Sequence, residues 1–186
     1  MKFIPMIQYM PMKSRVKRLA HNALLLTVAL IFSYIESVIP VYFIIPIPGF
    51  KLGLANIIVM FVFYYMNKID ALFISLARIF LIALLFGNIS SFYYSLAGAV
   101  FAYITLCITF PLKRSGVISF TGVSVLCSAS HNTGQIMIAA VMFESAALMR
   151  YLPWLLVISI PAGIITGIIL QIIGRYKILN FLKTSF

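Results

Sequence analysis

Acidic residues are scarce in this 186-residue chain. Three Asp and Glu stand against 14 Lys and Arg, and Glu36, Asp70 and Glu144 are far apart in sequence. Magnesium-dependent diphosphate chemistry normally uses clustered carboxylates, because a hard cation prefers several oxygen ligands. The chain therefore cannot build such a cluster alone. We predict no catalytic residue, metal ligand or cofactor, and enzyme activity of the isolated chain is not expected.

Cysteine pairs and phosphate-binding loops are also missing. Cys107 and Cys127 lie within apolar segments, with no CxxC or Cys/His spacing. This pattern argues against a zinc site or a disulfide framework and favours packing roles. The sequence contains no GxxxxGK[ST] motif, so any ATP used in its function must be hydrolysed by a partner.

What the chain has in abundance is apolar sequence. Apolar residues make up 63% and charged residues 9%, against roughly half and a quarter in soluble domains. A membrane bundle explains this balance, because lipid solvates its outward faces. The net charge of +11 does not indicate nucleic-acid binding, since the cations lie between apolar spans rather than on one soluble face. The lipid bilayer is the predicted partner.

The apolar runs predict six crossings, at roughly 20 residues each. We expect an all-α integral membrane protein, a six-transmembrane-helix bundle in one domain over residues 19–186, after a basic N-terminal extension over 1–18. Helix four is predicted to end at Pro111, helix five to tilt or break near Gly134, and helix six to start at Pro153. The predicted helices are 19–39, 53–67, 71–87, 90–111, 121–149 and 152–175.

The distribution of cations predicts the orientation. With the N-terminus inside, 11 basic residues fall on the cytoplasmic side and only Lys51 and Arg150 outside, which is a strong positive-inside pattern. We therefore expect a multi-pass protein of the bacterial plasma membrane with both termini cytoplasmic. The inside set is Lys2, Lys13, Arg15, Lys17, Arg18, Lys68, Lys113, Arg114, Arg175, Lys177 and Lys183.

The segment from Pro46 to Asn56 is the first polar feature that needs explaining. Two prolines and two glycines rule out regular helix before Lys51, so an external loop leads into helix two near Gly53. Free N–H groups at that helix start, with Lys51 nearby, would favour an anionic group. The alternative is an ordinary helix start with a lysine that reaches the interface.

Arg78 lies halfway along the third apolar span. A guanidinium at bilayer depth is costly unless it faces protein or water, so it marks a candidate site. The alternative is a structural arginine tied to carbonyls or to an acid. Glu36 and Glu144 are its candidate internal partners, and Glu36 could equally pair with Lys51 or meet water at the interface.

Helix five carries a polar stripe. Ser128, His131, Asn132 and Gln135 share one face at about 100° per residue, and such a stripe should face the bundle rather than lipid. We predict that it lines a ligand pocket, although helix-to-helix hydrogen bonding could explain part of it. Glu144 is expected at the rim.

Two separated motifs carry a family resemblance. Pro48-Gly49-Phe50-Lys51-Leu52-Gly53-Leu54-Ala55-Asn56, an arginine in helix three, and His131-Asn132-Thr133-Gly134-Gln135 resemble the Gx transporter family, often labelled heptaprenyl diphosphate synthase component I. That family is similar to the S components of energy-coupling factor transporters, which have six helices and a long first external loop.

The resemblance implies roles for individual residues. Pro48, Gly49 and Phe50 would belong to the gate loop, which also includes Lys51 and Leu52. S components present small residues of helix one to a coupling subunit, and here Ala29 and Ser33 form the single such pair. The predicted substrate-binding residues are Glu36, Lys51, Asn56, Arg78, His131, Asn132 and Gln135.

Two functions follow as hypotheses. The first is a substrate-binding membrane subunit that takes up a small cofactor or vitamin-like precursor, with a coupling transmembrane subunit and ATPases as partners. The second is a membrane accessory subunit of a heptaprenyl diphosphate synthase in isoprenoid or quinone biosynthesis.

Overall fold

The computed structural model describes residues 15–38, 53–86 and 89–175. These residues form six α-helices and a short 3-10 helix, and no strand occurs among them. The all-helical class is confirmed. The helices are α1 (Arg15–Val38), α2 (Asn56–Tyr65), α3 (Lys68–Phe86), α4 (Ile89–Arg114), α5 (Phe120–Met142) and α6 (Leu152–Arg175), with the 3-10 helix (Ala146–Tyr151) before α6.

Three segments of the described chain are long and apolar enough to cross a membrane. They are Arg18–Glu36, Ile89–Arg114 and Ala146–Gly174. Large apolar side chains also point outward, as the stripe of Phe73, Phe80 and Leu84 on α3 does. Such surfaces are compatible with contact to lipid, whose tails are as apolar as these side chains.

Helix α2 occupies the centre of the bundle. Every residue from Ile57 to Phe63 is buried, as expected for a short helix that is apolar on all sides. One end of the bundle carries Arg18, Lys68, Lys113 and Arg114, and we call it the basic end. There the Arg18 guanidinium of α1 makes a two-pronged ion pair with Asp70 of α3 at 2.6 and 2.9 Å. Successive helices run in opposite directions, as where Thr121 and Val125 of α5 meet Gly167 and Gly163 of α6 in reverse order.

Helices α5 and α6 pack closely because α6 carries a GxxxG motif, Gly163 to Gly167. A β-carbon on Gly167 would lie 2.5 Å from the Cα atom of Thr121, and one on Gly163 would overlap the backbone of Val125. Small residues let backbones approach in this way in membrane bundles. A hydrogen bond between the hydroxyls of Ser124 and Thr166 joins the same two helices.

Several predicted helix boundaries were wrong. Helix α4 continues through Pro111 to Arg114 and closes in a turn at Gly116, whose φ of +80° suits glycine. Helix α5 runs unbroken past Gly134 but ends at Met142 instead of 149, because the chain reverses at Glu144 with φ +49°. Glu144 itself is exposed.

The other boundaries differ for local reasons. Helix α2 begins at Asn56 instead of Gly53, since Gly53 has φ +83° and the next two residues form a turn. Gly134 lies within the unbroken helix α5. It allows the Ala97 carbonyl of α4 to approach, and a β-carbon there would lie 2.7 Å from that oxygen.

Candidate functional site

Residues from four helices and from the turn at Gly53 meet at one small cavity away from the basic end. Glu36 of α1, Arg78 of α3 and His131 of α5 all line it. The cavity volume is about 20 Å³, which is room for about one water molecule. The remaining lining residues are Ser33, Gly53, Ile79, Ile82 and Ser95.

Arg78 is central to this cavity. Its side chain is 6% exposed, and Nη1 donates a long hydrogen bond of 3.4 Å to the Ser33 hydroxyl. Its Nε has no hydrogen-bond acceptor among the described residues. Burying a hydrogen-bond donor without an acceptor costs free energy, and the cost is larger when the donor belongs to a charged group. The guanidinium therefore has the capacity to bind an anion or a water molecule.

Glu36 fixes the entry to α2. The buried carboxylate accepts a hydrogen bond from the backbone N–H of Leu54, with 2.5 Å between Oε1 and N, and its charge acts on Arg78. Gly53 and Asn56 lie beside this bond. A β-carbon on Gly53 would be 3.0 Å from Nδ2 of Asn56 and 3.8 Å from the His131 ring. Glu36 thus couples the turn before α2 to the cavity.

His131 and Gln135 form a pair on α5. The two residues are one helical turn apart, and 3.1 Å separates Nε2 of Gln135 from Nε2 of His131. If the amide donates, that ring nitrogen is the unprotonated acceptor of a neutral imidazole. The other amide atom, Oε1 of Gln135, is buried without a hydrogen-bond partner among the described residues. Gln135 is not among the described residues that line the cavity.

The polar stripe of α5 does not face the cavity as a whole. Asn132 turns to α6 and donates through Nδ2 to the Leu155 carbonyl at 3.2 Å. Ser128 is half-buried, and Ser130 accepts a hydrogen bond of 2.7 Å from Thr105 of α4. His131 therefore lines the cavity and Gln135 bonds to its ring, whereas Asn132 joins two helices.

Some predicted site residues lie outside the described part of the chain. These are Lys51 and the gate-loop residues Pro48, Gly49 and Phe50. Asn56 is described, half-buried beside Gly53, but it does not line the cavity. No group of three metal-ligating side chains occurs within the described ranges.

Sequence reasoning missed the contribution of α4. Ser95 lines the cavity, and Gly98 on the same face of α4 lies against the His131 ring. Ser91, Ser95 and Gly98 have the i, i+4, i+7 spacing of one helix face, which was the available signal. Ser33 was noted only as half of a small-residue pair.

These features define an all-helical protein with apolar helices and a buried, charged site between them, a class typical of membrane proteins. A family profile described as heptaprenyl diphosphate synthase component I matches residues 25–173. The chain belongs to this family, which confirms the resemblance found in its motifs. No curated protein and no solved structure matches the chain.

Proposed function

We propose that this protein is the substrate-binding membrane subunit of an uptake transporter for a small, cofactor-like molecule with an anionic group. The observation that carries the proposal is that Glu36, Arg78 and His131 line one cavity from three separate helices. Polar groups buried together between helices are expensive in a membrane and commonly mark substrate pathways. Arg78 Nε, which has no acceptor among the described residues, supplies an unused donor for an anionic group in this cavity.

Binding requires the cavity to expand. Pockets for small molecules typically have several hundred Å³, against about 20 Å³ here. The turn at Gly53 is the natural place for this change, because it follows the proposed gate loop and is held by the bond from Leu54 to Glu36. In this proposal, substrate enters from outside and displaces that turn.

Energy would come from associated subunits, since the sequence has no ATP-binding loop of the P-loop type. The small-residue pair on α1 is unsuited to hold a coupling subunit in this conformation. Ala29 is fully buried and Ser33 is 4% exposed, facing Arg78 instead. A coupling subunit would have to contact another surface of the bundle.

The proposal includes six crossings with both termini in the cytoplasm. It is supported by the alternating helix directions and by the basic end, which gathers Arg18, Lys68, Lys113 and Arg114. Fusions of alkaline phosphatase should be inactive after residue 186 and active when inserted next to Glu144. The reverse pattern would refute this orientation.

A second candidate function is favoured by the family description. As an accessory subunit of a prenyl diphosphate synthase, the chain would contact a separate catalytic subunit that supplies the carboxylates for magnesium. The same buried site would then hold part of an isoprenoid ligand or intermediate.

Ligand copurification separates the two functions. The protein would be purified from its membrane in mild detergent, and bound small molecules would be identified by mass spectrometry beside the Arg78→Ala variant. A water-soluble cofactor precursor, depleted in the variant, supports uptake. A prenyl diphosphate or a quinone, together with a copurifying synthase subunit, would overturn uptake in favour of the accessory role.

A further inference from the structure

A second and larger cavity opens at the basic end of the bundle. It lies between the ends of α2, α4 and α6 and the start of α5, and its volume is about 560 Å³. This size falls within the range of small-molecule sites. The cavity shares no lining residue with the one around Arg78. Its walls include Tyr65, Lys113, Val117, Ser119, Phe120 and Gln171.

Lys113 gives this cavity a positive charge. The side chain is only 9% exposed, although it stands in the last turn of α4 beside the exposed Arg114. Its ammonium lies 4.2 Å from the centre of the Phe120 ring, an arrangement that stabilises a cation in a partly desolvated place. A basic residue at a membrane boundary usually extends to water, and Lys113 turns inward instead.

The other walls match an anion that carries an apolar part. Gln171 is held in place by a hydrogen bond of 3.0 Å from Nε2 to the Thr121 hydroxyl. The Tyr65 hydroxyl lies against Gly174 at the cavity wall. Val117 and Ile118 add aliphatic surface, and no acidic residue occurs among the described residues that line the cavity.

We infer that this cavity binds a phosphate-bearing compound, with its anionic group on Lys113 and its apolar part along Val117 and Ile118. Lysine is a regular phosphate ligand and acts as a point charge. Two sources offer this chemistry at the basic end of the bundle: the headgroup of a membrane phospholipid and a soluble phosphate compound. The inference does not depend on the function proposed for the Arg78 site.

The test measures binding of defined probes to the full chain in dodecyl maltoside. The probes are dihexanoyl phosphatidic acid, dihexanoyl phosphatidylcholine and inorganic phosphate, titrated by calorimetry. We expect phosphatidic acid to bind more tightly than phosphatidylcholine. Lys113→Gln should weaken phosphatidic acid binding roughly tenfold or more, the scale for losing a hydrogen bond to a charged group.

Arg114→Gln is the matched control. It removes the same charge one residue away on the exposed surface, so affinity should change by no more than about twofold, as screened surface charges contribute little. Val117→Trp tests the apolar wall. Val117 is 76% exposed, so the bulky side chain should obstruct the cavity without disturbing the fold and weaken binding although every charge remains.

The outcomes separate cleanly. Inorganic phosphate that binds at least as tightly as phosphatidic acid would identify a soluble phosphate compound as the occupant, whereas phosphatidic acid that binds more tightly than inorganic phosphate would identify a membrane lipid. Equal affinity in Lys113→Gln and Arg114→Gln, or failure of all three probes to bind, would overturn the inference. Should Lys113→Gln fail to fold, unchanged affinity in Val117→Trp would be decisive against it.

Discussion

The imidazole of His131 lies against the bare backbone of Gly98. A β-carbon on Gly98 would stand 2.6 Å from Cε1 and 2.7 Å from Nδ1 of that ring. Real β-carbons do not come so close to other atoms, so the absence of a side chain on α4 determines where the histidine of α5 can lie. Gly98 is therefore a positioning residue for the cavity around Arg78.

Gly98→Ala should displace His131 and weaken ligand retention at the Arg78 site. Overpacking of this kind costs about 1–3 kcal/mol, and we expect at least a fivefold loss of copurifying ligand. The measurement is quantitative mass spectrometry of the bound compound. Gly163→Ala is the control, because it crowds Val125 on the far side of α5; it should lower the melting temperature and leave the ligand. Equal retention in both variants would remove Gly98 from the site.

Arg78→Ala should clearly weaken ligand binding while it lowers the melting temperature only slightly. The loss of a charge-assisted hydrogen bond corresponds to about 1.5–3 kcal/mol, or roughly tenfold and more in affinity. Arg78→Lys keeps the charge but removes the Nε donor, so its affinity should be intermediate. Arg150→Ala, on the exposed 3-10 helix, is the control. Unchanged affinity in Arg78→Ala would assign the arginine a structural role.

Glu36→Ala should loosen the turn before α2. The Leu54 N–H would lose its carboxylate acceptor, so its hydrogen exchange should accelerate roughly tenfold or more. Glu36→Gln retains an acceptor oxygen and should accelerate exchange less. Hydrogen exchange with mass spectrometric detection of peptides covering residues 53–58 gives the readout. If Leu54 exchanges at the original rate in Glu36→Ala, Glu36 does not hold this turn.

Gly167→Leu should separate α5 from α6. The new side chain would meet the Thr121 backbone and impede the hydrogen bond between Ser124 and Thr166. We expect destabilisation by about 1–3 kcal/mol, seen as a lower melting temperature in detergent. Ile165→Leu, at a position 54% exposed on the same helix, should change little. Equal melting temperatures of the two variants would contradict close packing at the GxxxG motif.

The sequence predicted the helices and part of the site for identifiable reasons. Apolar runs predict helices because a segment in lipid must satisfy its backbone hydrogen bonds internally. Charged residues are rare in this chain, so Arg78 and Glu36 stood out as candidate site residues. Asn132 was assigned to the pocket because helical spacing groups it with His131. However, α5 packs against both α4 and α6, and spacing alone does not tell which neighbour a side chain on that face will contact.

Backbone reversals were the least predictable features. Glu144 adopts a positive φ that is unusual outside glycine and asparagine, so nothing in its neighbourhood indicated that α5 ends at Met142. At Pro111 the error was the opposite one, because α4 was predicted to end there but continues to Arg114. A proline removes one backbone donor, yet the last turn of α4 closes through the Val117 N–H to the Leu112 carbonyl at 3.1 Å.

Helices α1 and α3 are fastened at two levels, by the ion pair of Arg18 with Asp70 and by the hydrogen bond from Arg78 to Ser33. Two such attachments along parallel helices resist both sliding and rotation of one helix past the other. If the Arg78 cavity widens, these two helices should therefore move together as one unit. The contacts that open should instead be those that α1 and α3 make with α2 and α5.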